Sequence, residues 1–255
     1  NHMPMIIGYI QNNPIFGEKE RNFDHLRGII GNTKADLLVL PELFATGYNF
    51  ISQDEVARLA EDKDGPTARF LKKLSQLTGA TLVGGFIERA EERYYNSSFI
   101  VSDGEIIDTY RKIHLFNKEK IYFSSGDKPF KVYDIKGVKI GVMICFDWLF
   151  PESCRTLALK GAQVVAHSAN LVMPYCQNAM ITRCLENRIF AVTANRIGIE
   201  KRGNDTFSFT GKSQITGMSG EVLAIAPQTE TAVSTVEINV KDALNKSINP
   251  FNDLF

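Results

Sequence analysis

The chain has no C-x-x-C pair, no low-complexity tract, no excess of charge of either sign and no apolar run approaching the roughly 18 residues of a membrane-spanning helix. Each absence removes a class of protein. With 29 Lys+Arg against 29 Asp+Glu the formal charge is zero, so the basic footprint of a nucleic-acid or anionic-membrane binder is missing, and neither partner is expected. The four cysteines, Cys145, Cys154, Cys176 and Cys184, are spaced 9, 22 and 8 residues apart and outline neither a zinc knuckle nor a disulfide framework. No metal and no cofactor is expected, which leaves a chemical role for a thiol open. Nineteen Gly and 9 Pro exclude a collagenous or disordered composition.

What is present suits a folded domain: 255 residues, 44% of them hydrophobic, can bury a substantial core. Asn1-His2-Met3 reads as an expression-tag remnant (residues 1–3) before a native start at Met3 or Met5, and residues 4–255 read as one domain. The apolar run Met5 to Ile10 is too short for a signal-peptide core and leads into Gln11-Asn12-Asn13-Pro14, not a small-residue cleavage site. A soluble, cytoplasmic protein is the expectation. Asn-x-Ser/Thr sequons at Asn96, Asn204 and Asn245 then carry no weight.

Periodicity divides the chain into alternating elements. Ile6–Ile10, Leu37–Leu40, Thr81–Phe86, Lys139–Ile144, Ala162–Ala166 and Ile189–Ala194 read as strands. Helices are predicted from about Glu18 to Ile30, from Pro66 to a stop at Gly79, from Pro151 to Leu159 and from Cys176 to Arg188. Tyr95–Val101 and Ile106–Tyr110 flank Asp103-Gly104, a strong hairpin signal. Phe207–Gln214, Val222–Ala226 and Ala232–Ile238 return to strands. The sum is a mixed-sheet, layered α/β domain.

At three strand ends an apolar run stops on a reactive side chain. Leu37-Leu38-Val39-Leu40-Pro41-Glu42 delivers a carboxylate, Tyr110-Arg111-Lys112 an amine, and Ile140-Gly141-Val142-Met143-Ile144-Cys145 a thiol. Strand termini in α/β sheets are where the core fixes a group and a loop leaves it accessible. A carboxylate, an ammonium and a thiol could therefore meet.

These segments resemble the nitrilase superfamily of carbon–nitrogen hydrolases. Glu42 in Pro-Glu-Leu-Phe, Lys112 in Arg-Lys-Ile-His-Leu-Phe and Cys145 in Ile-Cys-Phe-Asp-Trp match its motifs, and similarity continues through Tyr122–Asp127, Phe150-Pro151-Glu152 and Glu186-Asn187-Arg188. The resemblance implies a catalytic Glu-Lys-Cys triad and a four-layer αββα sandwich that pairs as a homodimer or higher homo-oligomer. It also brings in Glu119, a second acidic position that would orient Lys112 or help the base, although Glu119 stands between Lys118 and Lys120 like an ordinary solvated charge.

Cleaving an amide needs a strong nucleophile, a stabilised oxyanion and a proton for the departing nitrogen. Lys112 beside Cys145 and a helix beginning near Pro151 would lower the thiol pKa. Glu42 would accept the thiol proton and pass it to the amine, poised by burial against Lys112. Lys112 and the Phe146 N–H would face the oxyanion. Tyr48, Phe50, Phe116, Phe146, Trp148 and the segment Asn170 to Tyr175 are expected to line a small, partly apolar pocket. A small aliphatic amide or an ω-amide, as for an ω-amidase, is the expected substrate, yielding a carboxylate and ammonia. A nitrile, through a thioimidate, or an N-carbamoyl compound is the alternative; a binding protein without turnover is the rival from another class.

Other residues read as structural. Cys154, Cys176 and Cys184 fall in helical segments, and His114 and His167 lack a local Cys-His protease signature. Gly211-Lys212-Ser213 mimics the end of a phosphate loop, but Thr206 stands where its first glycine belongs. Leu244, Ile248 and Phe251, in the tail from about Lys241, have no evident intradomain place, so that tail and the Cys176–Arg188 helix are assigned to a dimer interface.

Overall fold

A computed structural model describes residues 2–255. The first half runs β1 (Pro4–Gln11), α1 (Lys19–Ile30), β2 (Leu37–Val39), α2 (Gln53–Leu59), α3 (Pro66–Thr78), β3 (Thr81–Ala90), β4 (Arg93–Ser102), β5 (Glu105–Arg111) and α4 (Glu119–Tyr122). The second runs β6 (Val132–Ile135), β7 (Val138–Ile144), α5 (Pro151–Leu159), β8 (Val164–Ser168), α6 (Cys176–Asn187), β9 (Phe190–Ala194), β10 (Ile199–Arg202), β11 (Asp205–Ser208), β12 (Gln214–Thr216), β13 (Val222–Ile225), β14 (Ala232–Asn239) and a small tail hairpin, β15 (Ser247–Asn249) with β16 (Asn252–Asp253).

Two six-stranded sheets result, in the orders β14-β1-β2-β3-β4-β5 and β13-β12-β9-β8-β7-β6. Each has three parallel strands at its centre, β1-β2-β3 and β7-β8-β9, with antiparallel flanks. The period-2 alternation of strands explains the layering. Ile7, Tyr9, Leu37, Val39, Val83 and Ile100 point between the sheets, against Val142, Ile144, Val164, Ala166 and Val192. The intervening Leu38, Leu82, Phe86, Phe99 and Val101 point outward, onto Phe23, Leu26, Phe70, Leu71 and Leu74 of α1 and α3. On the second sheet Cys154 and Leu157 of α5 and Met180 and Cys184 of α6 form the matching outer layer. The expected αββα sandwich is what the chain forms. Each fully buried aliphatic side chain contributes about 1.5–3 kcal/mol, so the two-sheet layer dominates stability.

This topology places the reactive strand ends on one edge. β2, β3 and β5 run in the same direction, so Glu42 and Lys112 emerge together; β7 and β8 bring Cys145 and Asn170 out from the facing sheet.

The predicted strand Phe207–Gln214 is broken. β11 pairs with β10 in a separate two-stranded hairpin and β12 with β9, because the chain between them turns through positive φ at Gly211 and Lys212. The strand predicted from Ala162 begins at Val164. Helix α2 was not predicted, although Ser52 caps it by accepting from the Glu55 N–H at 3.2 Å. Among the N-terminal residues assigned to a tag remnant, Asn1 lies outside the described residues, whereas Met3 donates to Asn239 Oδ1 and accepts from the Val240 N–H. Leu244, Ile248 and Phe251 lie exposed, Phe251 at 94%.

Candidate active site

The edge of the first sheet holds a buried ionic cluster. Glu42 and Lys112 are wholly inaccessible and Glu119, at the start of α4, nearly so. Lys112 Nζ lies 2.8 Å from Glu42 Oε1 and 2.8 Å from each oxygen of Glu119. The Phe116 N–H donates to Glu119 Oε2 at 2.6 Å. Asn96, from β4, donates its side-chain amide to Glu42 Oε1 at 2.6 Å and reaches Glu119 Oε1 at 3.4 Å, while its backbone carbonyl accepts the Lys112 N–H. Glu42 Oε2 is buried without a partner. Glu119 is therefore no solvated charge, despite the lysines beside it in sequence. Gly85 of β3 lets this packing happen, since a Cβ there would lie 2.5 Å from the Leu43 N behind Glu42.

Burial raises the Glu119 carboxyl to about 7, Lys112 pulling against this and Glu42 adding to it. Burial pulls the Lys112 pKa down, but Glu119 and Glu42 more than offset it and hold the ammonium charged. Two carboxylates and one ammonium taken out of water are costly, an arrangement that stability alone does not favour.

Cys145 faces this cluster from the second sheet. It opens a single 3-10 turn, Cys145–Leu149, and takes φ +40°, a left-handed conformation that a cysteine adopts only when its surroundings impose it. Asp147 imposes it from below: its Oδ2 accepts from the Ile144 N–H at 2.9 Å and the Tyr110 hydroxyl at 2.7 Å, and its Oδ1 from the His114 N–H at 3.1 Å with His114 Nδ1 at 2.7 Å. This ties the thiol's turn to β5 and to the loop that follows Lys112. His167 Nε2 lies 2.9 Å from the Cys145 carbonyl.

The expectation of a lowered thiol pKa is overturned. Burial, then the charge of Glu42, push the Cys145 thiol well up; Lys112 and the Asn170 N–H oppose them without prevailing. Nor does α5 begin at the thiol, since the turn and Phe150 intervene before Pro151. At rest the thiol keeps its proton.

The predicted lining residues divide between two adjoining clefts. Phe116, Phe146, Trp148 and Asn170 surround Cys145 with Leu171, Val172 and Met173 in a narrow cleft. Tyr48 and Phe50 line a second narrow cleft with Glu119, Lys118, Tyr122 and Phe207. Tyr48 faces Glu119 and Glu42, and burial first, then these two charges, keep its hydroxyl protonated. Both side-chain atoms of Asn170 are buried and unpartnered. His114 stacks on Phe150 at 3.9 Å, and Cys154, Cys176 and Cys184 are fully buried among apolar side chains, as expected of packing residues.

Sequence reasoning passed over Asn96, Asp147 and Glu200. Asn96 was signalled by the polar run Asn96-Ser97-Ser98 inside an otherwise apolar strand. Glu200 carried no signal. Its Oε2 accepts from the Tyr48 and Asn49 N–H groups at 3.0 and 2.7 Å, across 152 and 151 residues of chain, and its Oε1 pairs with the buried Arg196. Among the described residues no group of three or more His, Cys, Asp and Glu could hold a metal ion, and no helix is long and apolar enough to cross a membrane.

Comparison with known proteins agrees with this geometry. The carbon–nitrogen hydrolase family model matches residues 6–244. A nitrilase of Pyrococcus abyssi is 47% identical over 98% of this chain and 95% of its own length. The 2-oxoglutaramate amidase of Bacillus subtilis is 35% identical over 86% and 85%. The crystal structure of a carbon–nitrogen hydrolase from Helicobacter pylori superposes with a TM-score of 0.86 at 25% identity, over 95% of this chain and 92% of the other. A match spanning nearly every element of the sandwich, on a chain whose strand ends gather a carboxylate, an ammonium and a thiol, places this protein in the carbon–nitrogen hydrolase family, the nitrilase superfamily, as a hydrolase of carbon–nitrogen bonds.

Proposed function

We propose that the chain hydrolyses a small, uncharged aliphatic amide to a carboxylate and ammonia through a thioester on Cys145. Glu42 takes the thiol proton as sulfur attacks the amide carbon, and Lys112 with the Phe146 N–H faces the resulting oxyanion. Glu42 then passes the proton to nitrogen, the C–N bond breaks and ammonia leaves. Water, deprotonated by Glu42, attacks the thioester; the C–S bond breaks, and the proton returns to sulfur as the acid departs. A nitrile would enter by the same attack, through a thioimidate.

The observation that carries this reading is the Lys112 ammonium wedged between Glu42 and Glu119, with Glu42 Oε2 unpartnered. A thiol held protonated by burial needs a base at contact, and Glu42 is the carboxylate whose charge acts on it most strongly. The substrate class follows from the cleft beside the thiol, which combines Phe116, Phe146, Trp148, Leu171, Val172 and Met173 with the unpartnered Asn170 amide and contains no ionic side chain. An acyl group with a carboxylate, such as 2-oxoglutaramate, would find no cation there. Asn170 suits a neutral hydrogen-bonding group.

The test is ammonia release from a panel of short aliphatic amides, dicarboxylic monoamides, nitriles and N-carbamoyl compounds, with Cys145→Ala as control. Turnover of the neutral amides that vanishes in Cys145→Ala supports the proposal; preference for the nitriles, or for a charged acyl chain, overturns the substrate class.

A cytoplasmic location and a homodimer complete the proposal. Leu185 on α6 and Leu244, Ile248 and Phe251 in the tail leave an apolar surface that a second copy would cover. A single 28.5 kDa species in sedimentation at micromolar concentration would contradict the dimer.

A further inference from the structure

We infer that Asn96 is a positioning residue that makes Glu42 a one-oxygen base, locking Oε1 so that every proton transfer passes through Oε2. The inference rests on the role proposed for Glu42 and deepens it. Of the carboxylate oxygens in the cluster, Glu42 Oε1 is held by Lys112 at 2.8 Å and Asn96 at 2.6 Å, and both Glu119 oxygens are held by Lys112 and flanked by the Phe116 N–H and the Asn96 amide. Glu42 Oε2 alone is buried and unbonded.

The orientation of the Asn96 amide is dictated by its neighbours. Turned the other way, its oxygen would face two carboxylates; its Nδ2 donates to both instead, and Oδ1 is left buried without a partner. Leaving an amide oxygen orphaned is costly, a cost that accompanies keeping the donor on Glu42. The backbone of Asn96 simultaneously accepts the Lys112 N–H at 2.8 Å, so one residue sets both the carboxylate plane and the position of the ammonium. With both oxygens engaged, Glu119 takes up a proton near pH 7 only by giving up a bond to Lys112, Phe116 or Asn96. Its part is to hold Lys112, and proton traffic is left to Glu42.

Two variants test this. In Asn96→Ala the charged form of the Glu42 carboxylate loses a donor and its plane is free to turn. The expected result is a fall in kcat of about 10²–10³-fold with KM changed less than about threefold, and an acid limb of the kcat/KM profile displaced to higher pH. The isosteric Asn96→Asp gives a signature that structural damage alone does not. When protonated it donates to Oε1 as the amide does, and when ionised it repels Glu42, so its activity relative to the parent protein rises as pH falls. Iodoacetamide alkylation of Cys145, which needs no substrate, should show the same inverted pH dependence. A flat Asn96→Asp ratio across pH in both assays, or an Asn96→Ala protein with an unmoved acid limb, overturns the inference. Because alkylation is read without turnover, failure of the proposed amidase activity and failure of the Asn96 role are distinguishable, and Asn96→Asp decides the matter should Asn96→Ala not fold.

Discussion

His167 donates from Nε2 to the backbone carbonyl of Cys145 at 2.9 Å, and this fixes its tautomer. A carbonyl only accepts, so Nε2 carries the proton and Nδ1 accepts from the Thr193 hydroxyl at 3.1 Å. Burial lowers the pKa of this imidazole to about 4, and it stays neutral while it braces the positive-φ residue that carries the thiol.

A folded pKa below the unfolded one means that the unfolded chain gains a proton first on acidification. The His167 contribution is therefore intact above about pH 6.5 and is lost as pH falls toward 4, by on the order of 3 kcal/mol. Glu119, raised to about 7, acts with the opposite sign and gains stability as pH falls from 7 toward 4.5. The difference between the parent protein and His167→Gln isolates the first effect. Denaturant midpoints should be similar at pH 7.5, and His167→Gln should be relatively more stable at pH 5; parallel curves would refute the assignment.

The cysteines should separate by reactivity. Burial pushes all four thiols up, but Cys154, Cys176 and Cys184 are sealed in the outer layer of the second sheet, whereas Cys145 borders a cleft and a carboxylate. In the native protein iodoacetamide should label Cys145 at least about tenfold faster than the others, as read by peptide mass spectrometry. Uniform labelling would point to a fold that binds without turning over.

Removing Lys112 alone should be worse for stability than removing it together with the Glu119 charge. Lys112→Met leaves Glu42 and Glu119 buried with no counter-charge, at a cost of about 3–5 kcal/mol. Lys112→Met combined with Glu119→Gln should recover most of the melting temperature while activity stays at background. Equal melting temperatures for the two proteins would contradict this account.

Glu200 should affect substrate binding more than the chemical step. Its carboxylate holds the Tyr48 and Asn49 amides, and the β10–β11 hairpin that carries it is tied down by Arg202 on Glu55 and by Lys118 on Asp205. Glu200→Gln weakens this clamp, and KM is expected to rise about five- to tenfold with kcat changed less than about threefold. The reverse pattern would place Glu200 in the chemistry.

What could be read from the sequence had a local cause. Glu42 and Cys145 each end an apolar run, Lys112 follows the strand of the Asp103-Gly104 hairpin, and the α5 boundaries follow from Pro151 and the hydrophobic pattern after it. What could not be read depends on the third dimension. The thiol pKa was misjudged because sequence displays the neighbouring Lys112 but not the burial that outweighs it. Glu119 looks solvated beside two lysines, yet α4 turns it inward onto a third. Glu200 meets Tyr48 only after the chain has traversed the second sheet. The strand drawn through Phe207–Gln214 failed because a β-prone composition does not reveal which sheet each half will join.

Glu42 and Lys112 follow strands of one sheet and Cys145 a strand of the other, so in the proposed mechanism the reach from base to sulfur depends on how closely two slabs of aliphatic side chains pack. Val39, Leu37 and Ile144 thus act as shims. Trimming one, well away from any reacting atom, would let the slabs settle and alter the reach from base to sulfur, so that in this architecture the filling of the core is itself a determinant of rate.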